Sequence, residues 1–129
     1  MNLLFITPYL PSETSGHAGA QLIFRNITSL AKNHDITLAS FIDSDEYSML
    51  GFLVDHGIEV HTIAYPRNQK SITGKISSGI RNLRPLAQQI IGEELFFFSK
   101  YKSEKMAELI SKLIEKNNYD LVQIEYNVM

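Results

Sequence analysis

The chain has 129 residues, 44% of them hydrophobic and 20% charged, and a net charge of -2. That is one domain's worth of core material, or part of a domain, without the excess positive charge of a general nucleic-acid binder. It has no cysteine, and its four histidines (His17, His34, His56, His61) share no HxxxH or HxH spacing. A disulfide framework, a thiolate metal site and a zinc site are therefore not expected, nor is any cofactor.

In chain order, residues 3–7 form a continuous apolar run ending at Pro8, as expected of a strand covered on both faces. The absence of a basic n-region before it argues for a buried strand rather than a signal peptide. A polar loop follows, over residues 9–19. Ala20, Ile23, Phe24, Ile27, Leu30 and Ala31 then recur at helical spacing and give one apolar stripe. Residues 35–42 (DITLASFI) read as a second strand, rich in Ile, Thr and Phe. Residues 43–46 (DSDE) open a second helix with acids near its positive end, and Gly57 stops it. Residues 58–64 (IEVHTIA) read as a third strand, closed by Pro66.

Residues 67–84 are polar, basic and loosely patterned, with room for a short helix around 76–83. Pro85 suits the first turn of a further helix carrying Leu86, Ile90, Ile91, Leu95 and Phe96-Phe97-Phe98. Met106, Leu109, Ile110, Leu113 and Ile114 mark the face of another helix, ended by Asn117-Asn118. Residues 121–126 (LVQIEY) read as a fourth strand. No apolar run approaches the ~20 residues that span a bilayer.

Strands alternating with helices imply a parallel sheet with right-handed crossovers. The expected fold is α/β, a Rossmann-like three-layer sandwich with strand order 3-2-1-4. Strands 1 and 4 then sit side by side where the winding reverses, and ligands bind outside the carboxyl ends of strands at such a point. The loop after strand 1 and residues 125–127 at the end of strand 4 should meet there.

That loop, Ser15-Gly16-His17-Ala18-Gly19-Ala20-Gln21, precedes a helix. Free N–H groups and the helix dipole hold phosphates at such ends, and glycine lets an anion approach the backbone. An ordinary loop with a helix cap fits the same residues. The spacing is neither GxGxxG nor a Walker A motif. Asp43 follows strand 2, where a ribose-binding acid would lie, but without the glycine fingerprint it reads as a helix cap. His17 is placed to hydrogen-bond a phosphate or a sugar hydroxyl. The other three histidines read as helix-end or strand-surface residues. Glu125 is a carboxylate at an apolar strand end, suited to orienting a hydroxyl-bearing substrate or acting as a base; an exposed carboxylate where the strand leaves the sheet is the plainer alternative.

Charge is distributed unevenly: residues 1–64 carry two Lys/Arg against seven Asp/Glu, residues 65–105 eight against three, and residues 106–129 two against four. The middle segment is a basic island with Lys70, Lys75, Arg81 and Arg84, followed by the aromatic run around Phe97. Basic residues interleaved with exposed aromatics dock on anionic headgroups, whereas a plain solvated face needs no such partner.

The segment LLFITPYLPSETSGHAGAQ resembles the opening of family-4 retaining glycosyltransferases of the GT-B fold, with an apolar strand, a TPYxP-like turn, small residues and a helix. HDITLASF and GIEVHTI resemble the second and third strands of the same N-terminal domain, and DLVQIEYNVM its fourth strand and following loop. The resemblance implies a two-domain enzyme whose N-terminal domain binds the acceptor and whose C-terminal domain, absent from these 129 residues, binds a nucleotide-sugar donor. By position it places Gly16 and Gly19 beside the donor phosphates, His17 in the cleft, and Glu125 and Tyr126 near the acceptor. Many relatives have histidine in the loop after strand 4, and here the glycines are separated by His17-Ala18, so no catalytic residue is assigned beyond Glu125 as a candidate. Some members bind membranes through a basic, apolar surface on this domain.

The expected function is thus that of the acceptor-side part of a cytoplasmic glycosyltransferase, acting on a glycan or lipid-linked acceptor, with peripheral contact at the inner membrane face. The isolated piece should be inactive. A stand-alone, non-catalytic α/β ligand-binding or regulatory module is the rival. A phosphoacceptor receiver is excluded, because Thr7-Pro8-Tyr9 and Ala64-Tyr65-Pro66 stand where its acids would be. Strand 4 should lack an outer neighbour, and an unpaired apolar edge invites a dimer through that strand. Flotation with anionic liposomes should fall with added salt and with neutralisation of Lys70, Lys75, Arg81 and Arg84, and equal recovery with neutral vesicles would count against a membrane role.

Overall fold

A computed structural model describes residues 1–65 and 103–125. The basic island, with Lys70, Lys75, Arg81, Arg84 and Phe97, the expected helices around 76–83 and from Pro85, and Tyr126 all lie outside the described residues.

Strand β1 (Asn2–Thr7) buries Leu3, Leu4 and Phe5 in succession, so both of its faces are covered. It pairs in parallel with β2 (Asp35–Ile42), in register from Asn2 opposite Asp35 to Thr7 opposite Ser40. β2 pairs in parallel with β3 (Glu59–Ala64). On the other side β1 pairs in parallel with β4 (Leu121–Ile124), Leu3 opposite Leu121 and Ile6 opposite Ile124. The order is β3-β2-β1-β4, the expected Rossmann-like arrangement. Every β2 residue after Asp35 is buried. All four β4 residues are exposed, and among the described residues β4 has β1 as its one neighbour.

Helices cover both faces. The chain winds from β1 through α1 (Ala18–Leu30) to β2 and through α2 (Leu50–Asp55) to β3. These connections run in one direction across the sheet, so right-handed crossovers put both helices on one side. There Ile23, Phe24, Ile27 and Leu53 pack against Leu3, Phe5, Ile36 and Leu38. The return from β3 to β4 reverses direction, and α3 (Glu104–Lys116) accordingly packs on the opposite face, Met106 and Leu113 against Leu4, Ala39 and Phe41. α3 begins at an N-cap, Ser103 Oγ accepting the Met106 N–H at 3.3 Å. Glu104 in its first turn and Lys116 in its last complement the helix dipole. No helix among the described residues is long and apolar enough to cross a membrane.

The second helix starts later than its acids imply. Asp43 Oδ1 accepts the Ser44 N–H at 2.7 Å, and Glu46 Oε2 accepts the Asp43 N–H at 2.8 Å. The backbone closes tight i to i+3 turns instead of α-helical ones here, the Glu46 N–H donating to Asp43 O at 3.1 Å and the Met49 N–H to Glu46 O at 2.9 Å. A short 3-10 helix, Tyr47–Met49, follows before α2. Asp43, expected as a helix cap, instead binds the Ser44 N–H in the turn; the residues at the N-cap positions of the 3-10 helix and of α2 are Glu46 and Met49. Leu30, expected in the buried stripe of α1, is 36% exposed. It lies at the open margin beside β4, where it lines a groove with Leu121.

α2 ends at Gly57, whose φ of 76° lies in the left-handed region. The Gly57 N–H donates to Val54 O at 2.8 Å and the Ile58 N–H to Leu53 O at 3.2 Å. This is a Schellman motif, closed by contact between buried Leu53 and Ile58 in one core cluster. Gly57→Ala should cost about 1–2 kcal/mol, because a Cβ disfavours that backbone conformation. Leu38→Ala, which empties a fully buried position in β2, should cost about 2–5 kcal/mol. Urea unfolding monitored by circular dichroism measures both, and a neutral Gly57→Ala would show that the turn can end in another conformation.

Candidate functional site

At the carboxyl edge of the sheet β1 hands over to a loop, residues 8–17, that is anchored at one end and braced at the other. Leu10, 1% exposed, reaches into the α1-side core, and Pro11 and Ser12 are buried beside it in sequence. Thr7 Oγ1 donates to Tyr9 O at 3.0 Å. The Thr14 N–H donates to Ser12 Oγ at 3.2 Å and the His17 N–H to Ser15 Oγ at 3.1 Å. Gln21 Nε2, one turn into α1, donates back to Ser15 O at 2.7 Å. His17 Nδ1 accepts the Gly19 N–H at 3.1 Å and so caps α1, and its ring lies 4.5 Å from that of Tyr9. The Thr7, Ser12 and Ser15 hydroxyls, the His17 imidazole and the Gln21 amide are turned onto the backbone of this segment.

The two glycines differ in role. Gly19 is buried in the first turn of α1, and its N–H goes to His17. Gly16 is exposed, and a Cβ added to it would meet nothing within 4 Å. Its backbone is not in the left-handed region. The fold itself therefore has no need of glycine at position 16.

Gly16 lines a hollow of about 240 Å³ together with Thr14, Ser15, Asp43, Asp45 and Glu46. Asp43 is 3% exposed. Asp43 Oδ1 and Glu46 Oε2 already accept hydrogen bonds from this turn, and the three carboxylates make the hollow unfavourable for a phosphate. An anion is favoured instead at the N-terminal turn of α1, where the dipole is positive.

Glu125 directly follows β4, and its N–H donates to Ile6 O at 2.9 Å, carrying the β1–β4 pairing one residue further. It is half-buried and lines a second, larger groove, about 540 Å³, with Leu121, Gln123 and the α1 residues Asn26, Ser29 and Leu30. The topology thus brings Glu125 to the strand that precedes the glycine loop, while the carboxylates sharing a hollow with Gly16 come from the β2 loop. The sequence carried a signal for the latter in its DSDE run, which also serves as a turn cap. Gln21 and Leu10 were not singled out from the sequence. The signal for Leu10 is an apolar residue between Pro8 and Pro11, and Gln21 has none, since its partner is a backbone carbonyl six residues away. His56 Nδ1 lies 2.6 Å from Phe52 O at the end of α2, and His61 lies 2.8 Å from Glu59 on β3, both outside this region. Among the described residues no three His, Asp or Glu side chains gather to hold a metal ion.

No protein-family model, curated protein or solved structure matches this chain.

Gly16→Ala should leave the isolated chain as stable or raise its stability by about 0.4–1 kcal/mol, since the change removes freedom from the unfolded chain and meets no atom in the folded one. Thermal and urea unfolding check this, and a clear loss of stability would show that the fold needs Gly16 after all.

Proposed function

We propose that the chain is the acceptor-side part of a retaining glycosyltransferase, one that moves a sugar from a nucleotide-sugar donor to a glycan or lipid-linked acceptor. The observation that carries this reading is the parallel pairing of β1 with β4 at the reversal of a 3-2-1-4 sheet. Ligands of such sheets bind outside the strand ends at that point. The glycine loop leaves β1 there, and Glu125 leaves β4 beside Ile6.

On this reading the donor's diphosphate approaches the positive first turn of α1, passing Gly16, with His17 lining the cleft, while the acidic hollow on the other side of the loop is left to uncharged hydroxyls. Acceptor hydroxyls are oriented by Glu125 and Tyr126. The fit of the residues supports it: Gly16 is a glycine that intramolecular packing does not require, and a close-approaching ligand supplies the missing reason. On this reading the donor sugar is held by a second domain. The setting proposed is the cytoplasm, with the basic island touching the inner face of the membrane.

The test is a screen of the full-length protein containing this chain against nucleotide sugars, with release of the nucleoside diphosphate as the signal. Gly16→Val should lower kcat/KM at least about ten-fold, roughly 1.4 kcal/mol of lost transition-state stabilisation, through blocked phosphate approach. Gly19→Val should lower it too, though a buried glycine also risks the fold, so Gly16 is the cleaner probe. Absence of turnover with every nucleotide sugar would sink the reading, and unchanged kinetics in Gly16→Val would remove the loop from the mechanism.

A further inference from the structure

The two edges of the described sheet are built differently. β3, at one edge, carries Glu59 and His61 on one face, 2.8 Å apart. Charged side chains on an edge strand discourage pairing with another chain. β4, at the other edge, reads LVQI and carries neither a charge nor a proline. Leu121, Val122 and Ile124 are between 41% and 57% exposed. Leu121 and Gln123 line the groove on the α1 side, and by strand alternation Val122 and Ile124 stand on the α3 side. Among the described residues β4 therefore has the composition of an interior strand at an open edge.

We propose that two copies of this chain pair through β4, antiparallel about a two-fold axis with Gln123 opposite Gln123, and so join their sheets. Identical edges close on each other in this way, whereas β4 of one copy on β3 of the next leaves free edges at both ends. Glu59 and His61 on β3 oppose that second mode. The axis stands normal to the sheet, so residues facing each other across it share a face, odd numbers against odd and even against even. With Gln123 on the axis, Val122 meets Ile124 twice, once on each side, and Glu125 meets Leu121. Branched apolar pairs across strands stabilise a sheet, and no carboxylate then faces another. Centring on Val122 instead sets Asp120 against Ile124, and centring on Ile124 sets Glu125 against Gln123; either breaks both Val122–Ile124 pairs. A four-residue strand gives a small interface, so the dimer is weak and dissociates on dilution. The inference is independent of the sugar-transfer reading.

Sedimentation velocity of the 129-residue chain should show a monomer–dimer equilibrium that moves with concentration. Val122→Lys and Ile124→Lys each place a charge at an exposed edge position, so the fold survives and the melting temperature of the dilute chain stays unchanged. Each should raise the concentration of half-dimerisation at least about ten-fold. Cross-linking reads the register, because the chain has no cysteine of its own. Gln123→Cys should give a disulfide-linked dimer under mild oxidation, its two thiols facing each other across the axis. Leu121→Cys should not, since its two copies lie about 14 Å apart along the paired strands. A monomer at every concentration would overturn the proposal, as would a dimer that both lysine variants leave intact. A dimer linked through Leu121→Cys and not through Gln123→Cys would overturn the register.

Discussion

β1 is buried on both faces and paired on both edges, and the rest of the molecule is hung from it. Leu3 and Phe5 face α1, while Leu4 faces α3. β2 and β4 bond to its two sides in parallel. A strand in that position has no freedom of register, because a one-residue slip would exchange its two apolar faces and misalign both neighbours. Its carboxyl end is consequently a fixed point. The loop that leaves it and the carboxylate that leaves β4 inherit their placement from the same ladder, through the bond from the Glu125 N–H to Ile6 O.

The loop after β1 is a second, smaller example of the same principle. It lacks regular structure, yet Leu10 anchors it in the core, and side-chain bonds from Thr7, Gln21 and His17 tie its backbone at successive points. A loop that is built before a ligand arrives loses less entropy on binding. At Gly16 the fold leaves open space where a side chain would be. The adjoining hollow is lined by carboxylates from the β2 turn, which separates an acidic surface from the positive first turn of α1.

Much of the architecture was legible in the sequence because it follows from local periodicity. The runs at 3–7 and 36–42 have no polar face, which is the mark of strands buried between layers. The stripes of α1 and α3 repeat at helical spacing. Gly57 announced a helix stop, and the structure explains it by a left-handed residue closing a Schellman turn. The boundary of α2 was misjudged for a physical reason: acids suited to a helix start instead bind backbone N–H groups of a tight turn. Leu30 was misjudged because its stripe extends past the covered part of the sheet, which periodicity does not register.

Local chemistry alone determined that this chain is α/β, that its sheet is parallel, and that a small-residue loop sits between the first strand and the first helix. Those properties depend on residue spacing and on the handedness of crossovers, both of which can be read along the chain. What the tertiary structure decided is which side chains meet. Gly16 shares its hollow with Asp43, Asp45 and Glu46, Glu125 faces a different groove, and Gln21 reaches back to Ser15. Such meetings depend on how far each loop folds over its neighbour and which way each carbonyl points, quantities set by packing among distant segments and carried by no pattern in the sequence.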